Sequence, residues 1–163
     1  MDVFTKSKRS DIMSKVSGKN TKPEIMVRKY LFSKGFRYRK NVKELPGKPD
    51  IVLRKYKTII FIHGCFWHGH ENCEAAKLPA SNIDYWSKKI SSNVTRDIHN
   101  KKILRELGWN VVVLWECELK AKDREEKLSL FVKEIQCSKT MYRTTSSVFF
   151  QTMENIFAQA DEL

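Results

Sequence analysis

The stretch 58-TIIFIHGCFWHGHENC-73 decides how the rest of the chain is read. Its first six residues are β-branched, apolar or aromatic up to a terminal histidine, the pattern of a central strand. The next ten abandon that pattern. Three of the chain's four histidines and two of its four cysteines fall between Phe61 and Cys73, with Phe66 and Trp67 among them. A strand running into an irregular Cys/His segment points to a metal site, a catalytic site, or both at one end of a sheet.

Working outward, "DIVL" (50–53) is a short apolar strand, "RKYK" turns the chain into 58–63, and "LPGKP" (45–49) is a loop. "FRYRKNV" (36–42) alternates like a strand. "TKPEIMVRKYLFSKG" (21–35) reads as a helix: Thr21 and Glu24 have capping-box spacing, Pro23 suits the first turn, Ile25, Leu31 and Phe32 supply apolar positions, and Gly35 stops it. On the other side, 83–107 is a long helical pattern carrying Ile83, Trp86, Ile90, Val94, Leu104 and Leu107, with Gly108 as its stop. "WNVVVLW" (109–115) reads as a buried strand. Residues 123–135 read as a helix opened by Asp123 and Glu126, with Leu128, Val132 and Ile135 on one face. Alternating helices and strands give an α/β domain with a mixed central sheet. No repeat or low-complexity tract interrupts it. A basic arm (1–20) precedes the domain (21–137), and a partly helical tail (138–163) follows.

The 163 residues suit one domain with a proper core. No apolar run could span a bilayer, and the N-terminus lacks a signal-peptide core, so neither membrane insertion nor secretion is expected. Lys and Arg total 31 against 19 Asp and Glu, a net charge of +12. Such an excess favours a polyanionic partner, nucleic acid ahead of an anionic membrane surface.

Cys65, His70, Cys73 and Cys117 supply four soft or borderline ligands, the number a closed zinc site requires. Spacing alone allows His68 in place of His70. A reducing cytosol disfavours disulfides, and Cys137 is left as a structural residue. Asp50 begins one strand and His63 ends the next, so pairing of the two brings both to one sheet end. A carboxylate there, with a backbone carbonyl, offers the hard oxygen ligands that magnesium prefers. His63 and His68 are candidates for moving the proton of an attacking water.

In order and spacing, "LPGKPDIVL", "FIHGCFWHGHENC", "YWSKKISSNVTRD" and "LGWNVVVLWECEL" resemble the very short patch repair (Vsr) endonucleases, from about residue 9 to residue 119. The resemblance implies a restriction-endonuclease-like PD-(D/E)xK fold. It also implies a magnesium-dependent enzyme that nicks double-stranded DNA 5′ of the thymine in a T·G mismatch left by 5-methylcytosine deamination. It implies that Asp50 holds the magnesium with the backbone carbonyl of Ile62, that His68 transfers the proton with support from Asp97, and that His63 and Glu24 organise water and phosphate. It puts zinc on Cys65, His70, Cys73 and Cys117, resolving the histidine ambiguity, since a zinc-bound imidazole cannot also accept a proton. Phe66, Trp67 and Trp86 become wedges at the mismatch, Lys89 and Asn93 major-groove contacts, and Met13 with the arm a contact in the opposite groove. A bacterial cytosolic monomer assisted by MutL is the expected setting. Two features depart from the broader pattern: the ExK half-motif is absent where "FIHG" stands, and "GHEN" (69–72) is one residue longer than in the best-known member. Beside this stand a zinc-stabilised DNA-binding module without catalysis, and a nuclease of the same fold with another target.

Overall fold

The structure, a computed structural model, describes residues 7, 8, 11, 14, 18–120 and 124–136. Met13, Val16, Asp123, Cys137 and the 138–163 tail lie outside the described residues.

Helix α1 (Lys22–Ser33) starts at the expected box: the Thr21 hydroxyl accepts the Glu24 N–H and the Glu24 carboxylate accepts the Thr21 N–H. It ends with Gly35 at φ 83, where Gly35 N–H bonds Phe32 O and Phe36 N–H bonds Leu31 O, both at 3.0 Å. The buried face is Glu24, Val27, Arg28 and Leu31. The apolar face differs from the one expected: Ile25 is 39% and Phe32 58% exposed, because each sits one residue, about 100° of helix, past the buried stripe.

Four strands follow, β1 (Arg39–Lys40), β2 (Ile51–Leu53), β3 (Thr58–His63) and β4 (Asn110–Trp115), in the spatial order β1-β2-β3-β4. The first two pairings are antiparallel and β3–β4 is parallel, the expected mixed sheet. The strand read in 36–42 shrinks to two residues, since Asn41 turns left-handed at φ 48. Helix α2 (Ile83–Glu106) makes the crossover from β3 to β4 and stops at Gly108, φ 73. Helix α3 (124–136) buries Leu128, Phe131, Val132 and Ile135.

Alternation along the strands builds a core on each face of the sheet. Ile51, Leu53 and Ile60 pack with Val27 and Leu31 of α1 and Leu128, Phe131 and Ile135 of α3. Val52, Ile59 and Phe61 pack with Leu104 of α2. β4 is half-buried throughout rather than buried, because it is an edge strand among the described residues. No helix among the described residues is long and apolar enough to cross a membrane. The ends of β3 and β4, and the chain entering β2, carry the site.

Candidate active site and metal centre

After His63 the chain winds back on itself: His68 N–H bonds Gly64 O at 3.2 Å and His70 N–H bonds Cys65 O at 3.0 Å. Gly69 closes the loop at φ 58, and a Cβ there would stand 3.0 Å from Val94 Cγ2 and 3.1 Å from Ile90 Cγ2 of α2. One turn along, the Asn93 side-chain amide donates to Trp67 O at 2.9 Å. Helix α2 thus holds the loop by close packing and one buried hydrogen bond. The winding sends Cys65 and His70 to one side, His68 to another, and Phe66 with Trp67 to a third.

On the first side, one ligand atom each of Cys65, His70, Cys73 and Cys117 lies within 4.8 Å of all the others. His70 Nδ1 is 3.3 Å from Cys117 Sγ, and its ring stacks on Trp115 at 4.0 Å. The three cysteines are free thiols. Three sulfurs and one imidazole fit a borderline divalent ion, whose bonds of about 2.3 Å to sulfur give a ligand–ligand edge of about 3.8 Å. Without the ion, burial and the neighbouring thiols push Cys117 up to about 12, so taking up a metal would release protons.

On the second side, His68 Nδ1–H donates to Asp97 Oδ2 of α2 at 2.5 Å, which leaves Nε2 as the free nitrogen. Burial alone would raise Asp97, but the His68 hydrogen bond and charge hold it below the usual carboxylate range. His63 is buried and stacks on His68 with centroids 3.8 Å apart and planes 11° from parallel. Burial, and then the proximity of His68, push His63 down to about 3, so it is neutral. His63, His68 and Asp97 also place three potential ligand atoms within 4.8 Å. Near-parallel stacked rings, however, aim their in-plane lone pairs alongside each other rather than at one point. The geometry is that of an oriented His68–Asp97 pair beside a neutral His63.

Asp50 completes the sheet end. The antiparallel register sets Ile51 opposite Ile60, and Ile62 N–H donates to Asp50 Oδ2 at 2.8 Å. Burial pushes the Asp50 carboxyl up to about 6; the Ile62 N–H pulls it back, Glu24 pushes it further up, and His68 and Arg28 pull it down. A carboxylate raised by burial, with a second carboxylate near enough to push it further, is a place where a hard cation fits. Glu24 is buried and accepts bonds from Thr21 and from the Asn20 N–H, so the capping box places it there.

The third side is aromatic. Phe66 meets Trp67 at 5.1 Å and Trp86 at 5.2 Å, and the two tryptophans are 6.0 Å apart, all tilted steeply. Lys89 is exposed on the turn after Trp86. Asn93 is only 8% exposed, and its side-chain amide is committed to Trp67 O rather than presented to solvent. Two residues escaped the sequence reading. Tyr85, 61% exposed, extends the aromatic cluster 5.1 Å from Trp86, and its position beside that residue was the available signal. Arg28, four residues after Glu24, was signalled by the i,i+4 spacing of opposite charges.

The sequence profile of the family described as DNA mismatch endonuclease Vsr matches residues 1–75. The chain is 56% identical over 136 residues to the type II nicking enzyme V.NmeAIP of Neisseria meningitidis, covering 83% of this chain and 96% of that one. It is 47% identical over 118 residues to the type II nicking enzyme V.XorIIP of Xanthomonas oryzae, covering 72% and 86%. With the DNA mismatch endonuclease Vsr of Escherichia coli K12 it shares 38% identity over 138 residues, 83% of this chain and 88% of that one. The chain belongs to the Vsr family.

Proposed function

We propose that this protein is a DNA endonuclease that nicks one strand, magnesium-dependent and directed to the 5′ side of the thymine in T·G mismatches. The observation that carries the reading is the His68–Asp97 bond, with His68 close enough for its charge to act on Asp50, itself bonded to Ile62 N–H. The relatives named for mismatch cleavage and for nicking support the reaction class. Pro49-Asp50 ahead of a sheet strand supports a PD-(D/E)xK assignment.

Asp50 and the Ile62 carbonyl are the residues that would hold magnesium. Bound there, that ion supplies Lewis acidity at the scissile phosphate and lowers the pKa of water. His68 Nε2 takes the proton of the attacking water, and Asp97 fixes the tautomer and stabilises the imidazolium that results. His63, neutral, offers a hydrogen bond without competing for the proton, and Glu24 adds negative charge beside Asp50. The Cys65–His70–Cys73–Cys117 cluster takes zinc structurally and pins the loop to the end of β4. Phe66, Trp67 and Trp86 wedge into the duplex, where unstacking costs a few kcal/mol per step and least at a mismatch. Lys89 contacts the major groove, Asn93 acts by holding Trp67, and Met13 is a contact in the opposite groove. A monomer acting in the bacterial cytosol, with MutL assisting, completes the proposal.

The test is nicking of end-labelled duplexes carrying T·G in varied flanks, with matched C·G controls, in magnesium. One product cut 5′ of the mismatched thymine, lost in the controls, is expected. Equal cutting of matched duplexes would instead mean a nuclease of another specificity.

A further inference from the structure

Arg28 is a buried arginine that neither the strand ends nor the loop accounts for. Its Nη2 donates to Asn20 Oδ1 at 2.9 Å, and its Nη1 lies 3.6 Å from Glu24 Oε2. Nη1 has no hydrogen-bond partner among the described residues. Glu24 grips the same short segment: its carboxylate accepts the N–H of Asn20 at 3.0 Å and the hydroxyl of Thr21 at 2.8 Å. Asn20 stands at φ 54 where the basic arm meets α1. The last residue of the arm is therefore held by two α1 side chains whose charges both reach Asp50.

Capping does not explain this arrangement. Thr21 and Glu24 alone complete the box, and a buried guanidinium costs several kcal/mol unless it is paired. A planar fork, unlike a lysine, can hold an amide oxygen and a carboxylate in fixed relation. Its positive charge also offsets the repulsion between two buried carboxylates.

We propose that Arg28 is a positioning residue for nicking: by bonding Asn20 through Nη2 and pairing with Glu24 through Nη1, it fixes the Glu24 carboxylate that the reaction uses beside Asp50. The inference rests on the endonuclease reading above.

Single-turnover nicking of a T·G duplex by Arg28→Met, Arg28→Lys and Asn20→Ala tests it, with duplex affinity measured without magnesium and Tm and zinc content as fold controls. For Arg28→Met we expect a rate loss of roughly 10²-fold, the size expected of a misplaced catalytic group, with affinity near wild type. The magnesium needed for half-maximal rate should rise. Arg28→Lys should recover only part of the rate, because it keeps the charge and loses the fork. Asn20→Ala, which leaves both α1 side chains in place, should slow nicking in the same direction even if Arg28→Met does not fold. A wild-type rate in Asn20→Ala, or in Arg28→Met with a lowered Tm, would overturn the proposal, as would full rescue by lysine. A wild-type chain that binds but never nicks is a separate failure: it removes the endonuclease reading before any variant is compared.

Discussion

Burial holds the Asp50 carboxyl near 6 against an ordinary 3.8, so between those values the folded chain binds more protons there than the unfolded chain. Stability from this group is present at low pH and lost as pH rises through about 6, a cost on the order of 2–3 kcal/mol at neutral pH. His63 runs the other way. Its folded value near 3 lies below the ordinary 6.5, so its contribution is present above 6.5 and lost as pH falls. Between about 4 and 6 the two slopes oppose each other. Asp50→Asn is therefore expected to raise the Tm at pH 7.5 without magnesium, steepen the loss of stability on acidification, and abolish nicking. Thermal melts across pH check the first two, and an unchanged or lowered Tm at pH 7.5 would contradict the account. Cys/His spacing narrowed the metal ligand set while leaving His68 and His70 open. Asp50 and His63 each had an ordinary structural use at a strand end, so the site was legible mainly through the motif resemblance, which alone brought in Asp97 and Glu24. Arg28 and Tyr85 carried only weak signals, a neighbouring charge and a neighbouring tryptophan, and the burial of Asn93 carried none, because such residues on helices are ordinarily at the surface until packing says otherwise.

At the scale of elements, the loop 64–73 takes its shape from α2 rather than from its own turns. Gly69 is where this is most exposed: a left-handed φ coincides with contacts at 3.0 and 3.1 Å to the branched side chains of Val94 and Ile90. Gly69→Ala should cost about 1–3 kcal/mol and displace His68 and the aromatics together. Its signature is a joint loss of Tm, mismatch preference and nicking rate; loss of rate alone would argue against the shared clamp. Helix α2 was readable to within one residue, since a 24-residue periodic pattern ending in glycine has no competing interpretation. The strand in 36–42 was overread because alternation cannot reveal that Asn41 leaves the β region. The buried face of α1 was misplaced because Glu24 and Arg28, charged residues paired inside, occupy positions that a hydrophobic pattern reserves for apolar ones.

Across the whole molecule, the net charge of +12 and the metal cluster act on different problems. Charge brings the duplex in, and its share of binding should weaken steeply as salt is raised. The cluster joins the loop after β3 to Cys117 just after β4, two places 47 residues apart between His70 and Cys117. Closing such a span with a metal is worth several kcal/mol in structural sites, so chelation or Cys117→Ala should lower the Tm sharply and release the loop. Chelation that leaves Tm and nicking intact would contradict a structural role for a metal at this cluster.

The central claim is that one end of the sheet does the chemistry while the loop's other sides bind. Single-turnover nicking of a T·G duplex by wild type and Asp50→Ala, with duplex affinity measured alongside, tests it most directly. The account predicts a magnesium-dependent single nick for wild type and none for Asp50→Ala, with affinity largely kept in both. Nicking that survives Asp50→Ala, or loss of affinity in step with loss of cutting, would contradict it.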